Sequence, residues 1–211
     1  MTATIIKQQD SSIPEKKIYT PEEYLALEEK AECKHEYRNG EIFAMAGGTI
    51  NHNEIVTNLC TYLKVALKGK KYRVFIGDVR LWIPQYNQYT YPDVMVISGE
   101  PNYHKGLTTV TNPLLIMEVL SQSTQDYDRG TKFTYYRSIP ELQEYILIDQ
   151  YSYKIEQFSK NNQEQWLLKE YQTQKENLFL ASLKLQLNII DIYEQVKFEN
   201  DEKAKMSKLL T

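Results

Sequence analysis

The apolar positions of this chain change period several times, and each change outlines an element. Thr20-Pro21-Glu22-Glu23 opens a helix that the pattern carries to about Glu29: a capping hydroxyl, a proline at the first helical position and a glutamate three residues after the cap. Residues 34–37 and 41–45 flank Arg38-Asn39-Gly40, and Asn-Gly between two short strands signals a hairpin. Ile55, Leu59, Tyr62, Leu63, Ala66 and Leu67 recur at helical spacing, which predicts a helix over residues 49–68, stopped by Gly69. The period then drops to two, predicting strands over 72–76 and 79–83. Residues 84–91 read as a polar, Tyr-rich loop or hairpin tip, and 99–112 as a loop.

Two segments, 92–97 and 113–120, are apolar at consecutive positions apart from one acidic residue each. Strands of that kind bury both faces. A helix is predicted over 128–138, ended by Pro140, and a further strand over 144–149. Alternation continues over 151–159 and 165–171, one or two short strands fall within 178–187, and a last helix covers 189–196. The expected organisation is a polar lead over 1–18, one α/β domain over 19–196 with a β-rich C-terminal extension, and a charged tail over 197–211.

Composition narrows the class. The chain has 211 residues, 42% of them hydrophobic, with 25 Lys+Arg against 28 Asp+Glu and a net charge of −3. That supports one packed domain and argues against disorder. Two cysteines, Cys33 and Cys60, form no disulfide framework and read as packing thiols. No apolar run approaches the roughly 20 residues of a membrane span, and no signal segment is visible, so a cytoplasmic location with no membrane partner is the expectation. The slight acidity excludes a non-specific nucleic-acid coat. It leaves room for a local basic patch such as Lys64 to Arg73, or for its alternative, a solvated face. Of the aromatic residues 17 are Tyr, a type suited to half-buried contact faces.

Three charged residues sit against this apolar background. Asp93 opens the 94–97 strand, and Glu118 interrupts Leu114-Leu115-Ile116-Met117 and Val119-Leu120. A carboxylate in such a run is costly unless paired or bound to a metal. Two adjacent strands bearing carboxylates suit a hard divalent cation such as Mg2+. Lys132, on the following helix, can reach the same point. A metal, two carboxylates and a lysine together suit phosphodiester hydrolysis. The alternative is structural: Asp93 caps a turn, Glu118 pairs with Arg137 or Arg80, and Lys132 is solvated.

Tyr91-Pro92-Asp93-Val94, Ile116-Met117-Glu118-Val119-Leu120-Ser121, Asp128-Arg129-Gly130-Thr131-Lys132-Phe133 and Tyr136-Arg137 occur in this order and spacing. With Ile139-Pro140, residues 144–149, residues 37–42 and the His52 helix, this set resembles the Uma2 family of bacterial restriction-endonuclease-like proteins, within the PD-(D/E)XK nuclease superfamily. The resemblance spans about residues 19–196. It implies a restriction-endonuclease-like fold, a mixed central sheet flanked by helices. It implies a metal-dependent endonuclease acting on DNA, with Mg2+ or Mn2+ held by Asp93 and Glu118. The superfamily pattern places its lysine two positions after the acidic residue, where this chain has Leu120. A lysine from the next helix resembles a migrated replacement, and Lys132 matches it.

The resemblance also assigns Glu36 to an acidic residue that helps hold metal or its water; its alternative is a surface pair with Lys34 or Arg38. His52 and Ser121 are expected on the substrate side. For His52 the alternative is a cap or core histidine, and for Ser121 a turn residue. Asp78 lines the cleft or caps its turn, and Asp128 reads as the N-cap of the Lys132 helix. Two cuts on duplex DNA favour a homodimer. The runner-up function is a catalytically inactive module of the same fold that binds nucleic acid or a protein partner.

Overall fold

The computed structural model describes residues 17–45 and 47–198. The expected lead and tail lie almost wholly outside the described residues. The chain order is α1 (Pro21–Glu28), β1 (His35–Arg38), β2 (Glu41–Ala44), α2 (Ile50–Ala66), β3 (Tyr72–Ile76), β4 (Arg80–Ile83), β5 (Gln88–Thr90), β6 (Val94–Ser98), β7 (Thr109–Val110) and β8 (Leu115–Leu120). A helical segment follows in three pieces: α3 (Gln125–Tyr127), a π-helical turn (Asp128–Lys132) and α4 (Phe133–Tyr136). Then come β9 (Glu144–Asp149), β10 (Ile155–Lys160), β11 (Trp166–Tyr171), β12 (Asn177–Leu180), β13 (Leu185–Asn188) and α5 (Ile189–Ile192).

The central sheet has six strands in the order β11-β10-β9-β8-β6-β3. It is mixed: β8 and β9 run parallel, and the other neighbours are antiparallel. Its two faces bury two separate cores, which explains the continuous apolar runs of β6, β8 and β9. Val94, Val96, Leu115, Met117, Ile146 and Ile148 pack toward Ile55, Leu59 and Leu63 of α2. Met95, Ile97, Ile116, Leu120, Tyr145 and Leu147 pack toward Phe133 and Tyr136 of the 125–136 segment. Each such aliphatic side chain contributes about 1.5–3 kcal/mol on full burial, so the sheet is anchored on both sides.

A second sheet, β2-β1-β5-β4-β7, adds Leu81 and Ile83 of β4 and Val110 of β7 to the second core. The predicted loop over 84–91 contains a 3-10 turn (Pro84–Tyr86) and β5, and the 99–112 loop contains β7. Both strands were invisible in the pattern because they have three and two residues. One face of this sheet carries Tyr37 and Tyr89, stacked with Tyr24 of α1. Thr20 caps α1 as expected, in a capping box with Glu23. At the hairpin tip Asn39 and Gly40 both take positive φ, the conformation Asn-Gly favours. The β-rich C-terminal part comprises β10 to β13.

Cys60 packs against the first core as expected, but Cys33 is exposed. It sits in the short turn before β1, with Sγ 3.7 Å from His35 Nε2. No helix among the described residues is long and apolar enough to cross a membrane.

Candidate active site

Sheet parity places the two carboxylates. On β6, Met95 and Ile97 face the second core, so Asp93 one step earlier falls on that side. On β8, Ile116 and Leu120 face the second core, and Glu118 between them does too. The register pairs Val94 with Met117, so one step further sets Asp93 opposite Glu118. The two residues hold each other's strands: the Asp93 backbone N–H donates to Glu118 Oε2 at 3.2 Å, and the Val119 N–H donates to Asp93 Oδ2 at 2.8 Å.

The 125–136 segment crosses the same face and brings Lys132 onto Glu118. Lys132 Nζ lies 2.8 Å from Glu118 Oε1, 3.4 Å from Asp128 Oδ1 and 3.7 Å from Glu36 Oε1. The lysine side chain is 8% exposed and that of Glu118 4%. The Tyr136 hydroxyl donates to Glu118 Oε1 at 2.7 Å. Glu36, on β1, accepts from Arg38 Nε at 3.0 Å and Nη2 at 2.5 Å through Oε2, and from the Thr90 hydroxyl through Oε1. His52, at the start of α2, lies with Nε2 3.1 Å from Asp93 Oδ2. Asp93, Glu118, Lys132, Glu36 and His52 are thus brought together.

Four residues are placed differently from one or more of their expected roles. Glu118 pairs with neither Arg137 nor Arg80; Arg80 bonds to the Thr108 and Thr109 hydroxyls instead. Asp128 is no N-cap: it is buried inside the helical segment, with helical φ and ψ, because the helix begins at Gln125. There the π-helical turn sets Asp128 against Lys132. Asp78 points to solvent and pairs with Lys34. Ser121 makes its contacts within its own turn: its hydroxyl meets those of Ser123 and Thr124, and its carbonyl accepts from Gln125 N–H at 3.0 Å.

Electrostatics follow from this crowding. Burial pushes the Glu118 carboxyl up to about 8, opposed by Lys132 and reinforced by Asp93 and Asp128. Burial alone would lower the Lys132 ammonium, but Glu118, Tyr136, Glu36 and Asp128 hold it well above the usual lysine range. Burial would raise Glu36, yet Lys132 and Arg38 keep it below the ordinary carboxylate range. Asp93 is likewise held low against its burial, chiefly by His52, and His52 in turn is raised by Asp93 despite its own burial.

Sequence reasoning missed Tyr136 and Thr90 as parts of this cluster, and it offered Arg38 only as a surface partner of Glu36, a pair that the structure forms with Glu36 buried. Arg38 had a signal: two residues from Glu36 on one strand, it must share that residue's face. Thr90 had none, since the strand bearing it was read as loop.

The family model described as "Putative restriction endonuclease" (Uma2) matches residues 21–190, and the chain belongs to this family. Two uncharacterized proteins of Synechocystis sp. (strain ATCC 27184 / PCC 6803 / Kazusa) are similar to it. One, sll1609, is 44% identical over 170 residues, covering 80% of this chain and 96% of its own. The other, slr1290, is 39% identical over 179 residues, covering 85% and 93%. A solved structure described as a "putative nuclease belonging to DUF820" from Anabaena variabilis ATCC 29413 shares the fold. Its TM-score is 0.71 at 19% identity, over 85% of this chain and 99% of that one.

Proposed function

We propose that the chain is a metal-dependent endonuclease that hydrolyses phosphodiester bonds in DNA. The observation that carries this reading is Lys132 Nζ held 2.8 Å from Glu118 beside the facing Asp93. The migrated lysine supplies from a helix the ammonium that Leu120 cannot. Family membership supports nuclease chemistry of the restriction-endonuclease-like kind.

The donor set fits Mg2+ or Mn2+. Among the described residues no group of three or more His, Cys, Asp and Glu side chains is arranged to hold a metal ion. Mg2+ does not need such a cage, because it keeps several waters and binds through one or two carboxylates plus substrate phosphate. Asp93 and Glu118 supply those two. Asp93 Oδ1 accepts no bond from the described residues, and its side chain is 21% exposed. Asp93 and Glu118 would hold the cation, which when bound polarises a phosphoryl oxygen and acidifies water.

The chain's own groups do the rest. Lys132, charged throughout the neutral range, orients the attacking water or offsets charge developing on the phosphoryl oxygens. Glu36, fixed through one oxygen by Arg38, turns the other toward Lys132 and Thr90. Tyr136 and Asp128 hold Glu118 and Lys132 in place. His52 and Ser121 contact the substrate side. A homodimer would set two such sites on duplex DNA.

The test is cleavage of plasmid and single-stranded DNA with Mg2+, Mn2+ or EDTA, comparing wild type with Asp93→Ala and Lys132→Ala. Metal-dependent cleavage lost in both variants is the expected result; activity surviving both sinks the assignment. One observation favours the second reading, an inactive binding module: three carboxylates already surround Lys132. Tight DNA binding with no cleavage of any substrate would select it.

A further inference from the structure

The face of the second sheet that meets the site holds a group not used above. Arg38 and Gln88 are cross-strand partners, so Glu36, Arg38, Gln88 and Thr90 share one face. Gln88 is 1% exposed, and its Nε2 donates to the Tyr127 hydroxyl at 3.1 Å, while its Oε1 is buried without a partner among the described residues. The Arg38 guanidinium lies 3.8 Å over the Tyr127 ring. The same Arg38 grips Glu36. Tyr127 is therefore pinned twice: its ring by Arg38 and its oxygen by Gln88. A phenol that accepts from an amide keeps its own O–H to donate. Among the described residues no acceptor takes that proton.

The site is short of such donors. Glu36, Asp93, Glu118 and Asp128 are acceptors. The Lys132 ammonium is engaged by three of them, and Arg38 spends two of its three guanidinium nitrogens, Nε and Nη2, on Glu36. A phosphodiester is an anion, and to enter an acid-rich cleft it needs donors that are not already committed. Burial, with the Glu36 charge behind it, pushes the Tyr127 phenol up to about 12, so it keeps its proton at neutral pH.

Resting on the nuclease reading above, we propose that Tyr127 contacts the substrate, donating its hydroxyl proton to a non-bridging phosphate oxygen. Gln88 is then the positioning residue that sets the direction of that proton. Tyr127→Phe removes only the O–H. Gln88→Glu replaces the amide donor with an acceptor that draws the phenol's proton to itself, so it should reproduce the loss, and the double variant should add nothing.

The experiment measures kcat and KM for oligonucleotide cleavage with Mg2+. It adds oligonucleotide affinity by fluorescence anisotropy in an Asp93→Ala background, and thermal unfolding. The expected result is a loss of roughly 10-fold or more in kcat/KM for both single variants, with weaker oligonucleotide binding and an unchanged Tm for Tyr127→Phe. If Gln88→Glu does not fold, Tyr127→Phe decides alone. Tyr127→Phe equal to wild type, while Lys132→Ala is dead, overturns the contact and leaves the nuclease reading standing. That is the outcome if the phenol donates to the Gln88 amide oxygen instead. If wild type cleaves nothing, the nuclease reading fails separately. Affinity then settles the contact: equal binding by Tyr127→Phe overturns it, and weaker binding sustains it.

Discussion

Lys132 and Glu118 come from different elements, a helical turn and a central strand, yet their charged atoms stand 2.8 Å apart with almost no solvent between them and the core. Removing the cation leaves Glu118, Asp128 and Glu36 facing one another. Lys132→Met should abolish cleavage and cost about 3–5 kcal/mol of stability, as breaking one side of a buried pair does. The cost should grow as pH rises, because the uncompensated carboxyls are tolerated only when protonated. Chemical denaturation at pH 5.5 and 8 measures both; equal stability of variant and wild type at pH 8 contradicts the buried pairing.

Glu118 predicts a pH slope of its own. Its carboxyl is raised from an ordinary 4.5 to about 8, so between those values the folded chain holds a proton that the unfolded chain has lost. Stability therefore falls as pH rises through that window. Glu118→Gln should flatten the fall in metal-free buffer, gaining Tm at pH 8 relative to pH 5. Mg2+ should flatten it in wild type but not in the variant. Thermal scans across pH with EDTA or Mg2+ read this directly, and a wild-type curve that rises over the window contradicts the raised carboxyl.

His52 restrains Asp93 Oδ2 at 3.1 Å. Partners that orient a metal ligand typically affect affinity 10–100-fold. His52→Ala should weaken Mn2+ binding by about that factor, with the fold intact. Calorimetric titration tests this; unchanged affinity would separate His52 from the metal site.

Arg38 does two jobs that lysine cannot do together. Its planar fork makes two bonds to Glu36, and its guanidinium carbon lies 3.8 Å from the Tyr127 ring centre and 4.5 Å from that of Phe43. Arg38→Lys should cost about 1–2 kcal/mol, since neither the two-donor grip on Glu36 Oε2 nor the contact with the Tyr127 ring survives. Denaturant unfolding gives the number, and an unchanged midpoint removes Arg38 from the support of Glu36.

The site was legible where chemistry conflicts with its surroundings. Asp93 and Glu118 stood out because carboxylates do not belong in runs that bury both faces, and the same runs forecast the central sheet. Lys132 was a candidate from its place on the helix after Glu118, and the family resemblance then matched it to a migrated lysine; a lysine on a helix carries no local sign of what it will face, so its solvated alternative stayed open until the structure set it on Glu118. Asp128 was misread because a capping residue and a helix-interior aspartate look alike before the helix start is known. Tyr136 was hidden by its type: one tyrosine among 17 reads as packing until its hydroxyl is seen on Glu118. Of the second sheet, β5 and β7 were lost because very short strands are specified by their neighbours rather than by their own periodicity.

β8 and β9 run parallel, so the chain must travel back along the sheet between them, and the 125–136 segment is that return. The lysine rides on it. In a scaffold with the lysine on β8 itself, the helix could loosen without moving the ammonium. Here, any opening that lifts the crossover withdraws the charge from Glu118 and uncovers the second core at once. Amide hydrogens of the 125–136 segment and of β8 should therefore exchange as one cooperative unit, and loss of catalytic geometry should coincide with the first loss of protection in that unit.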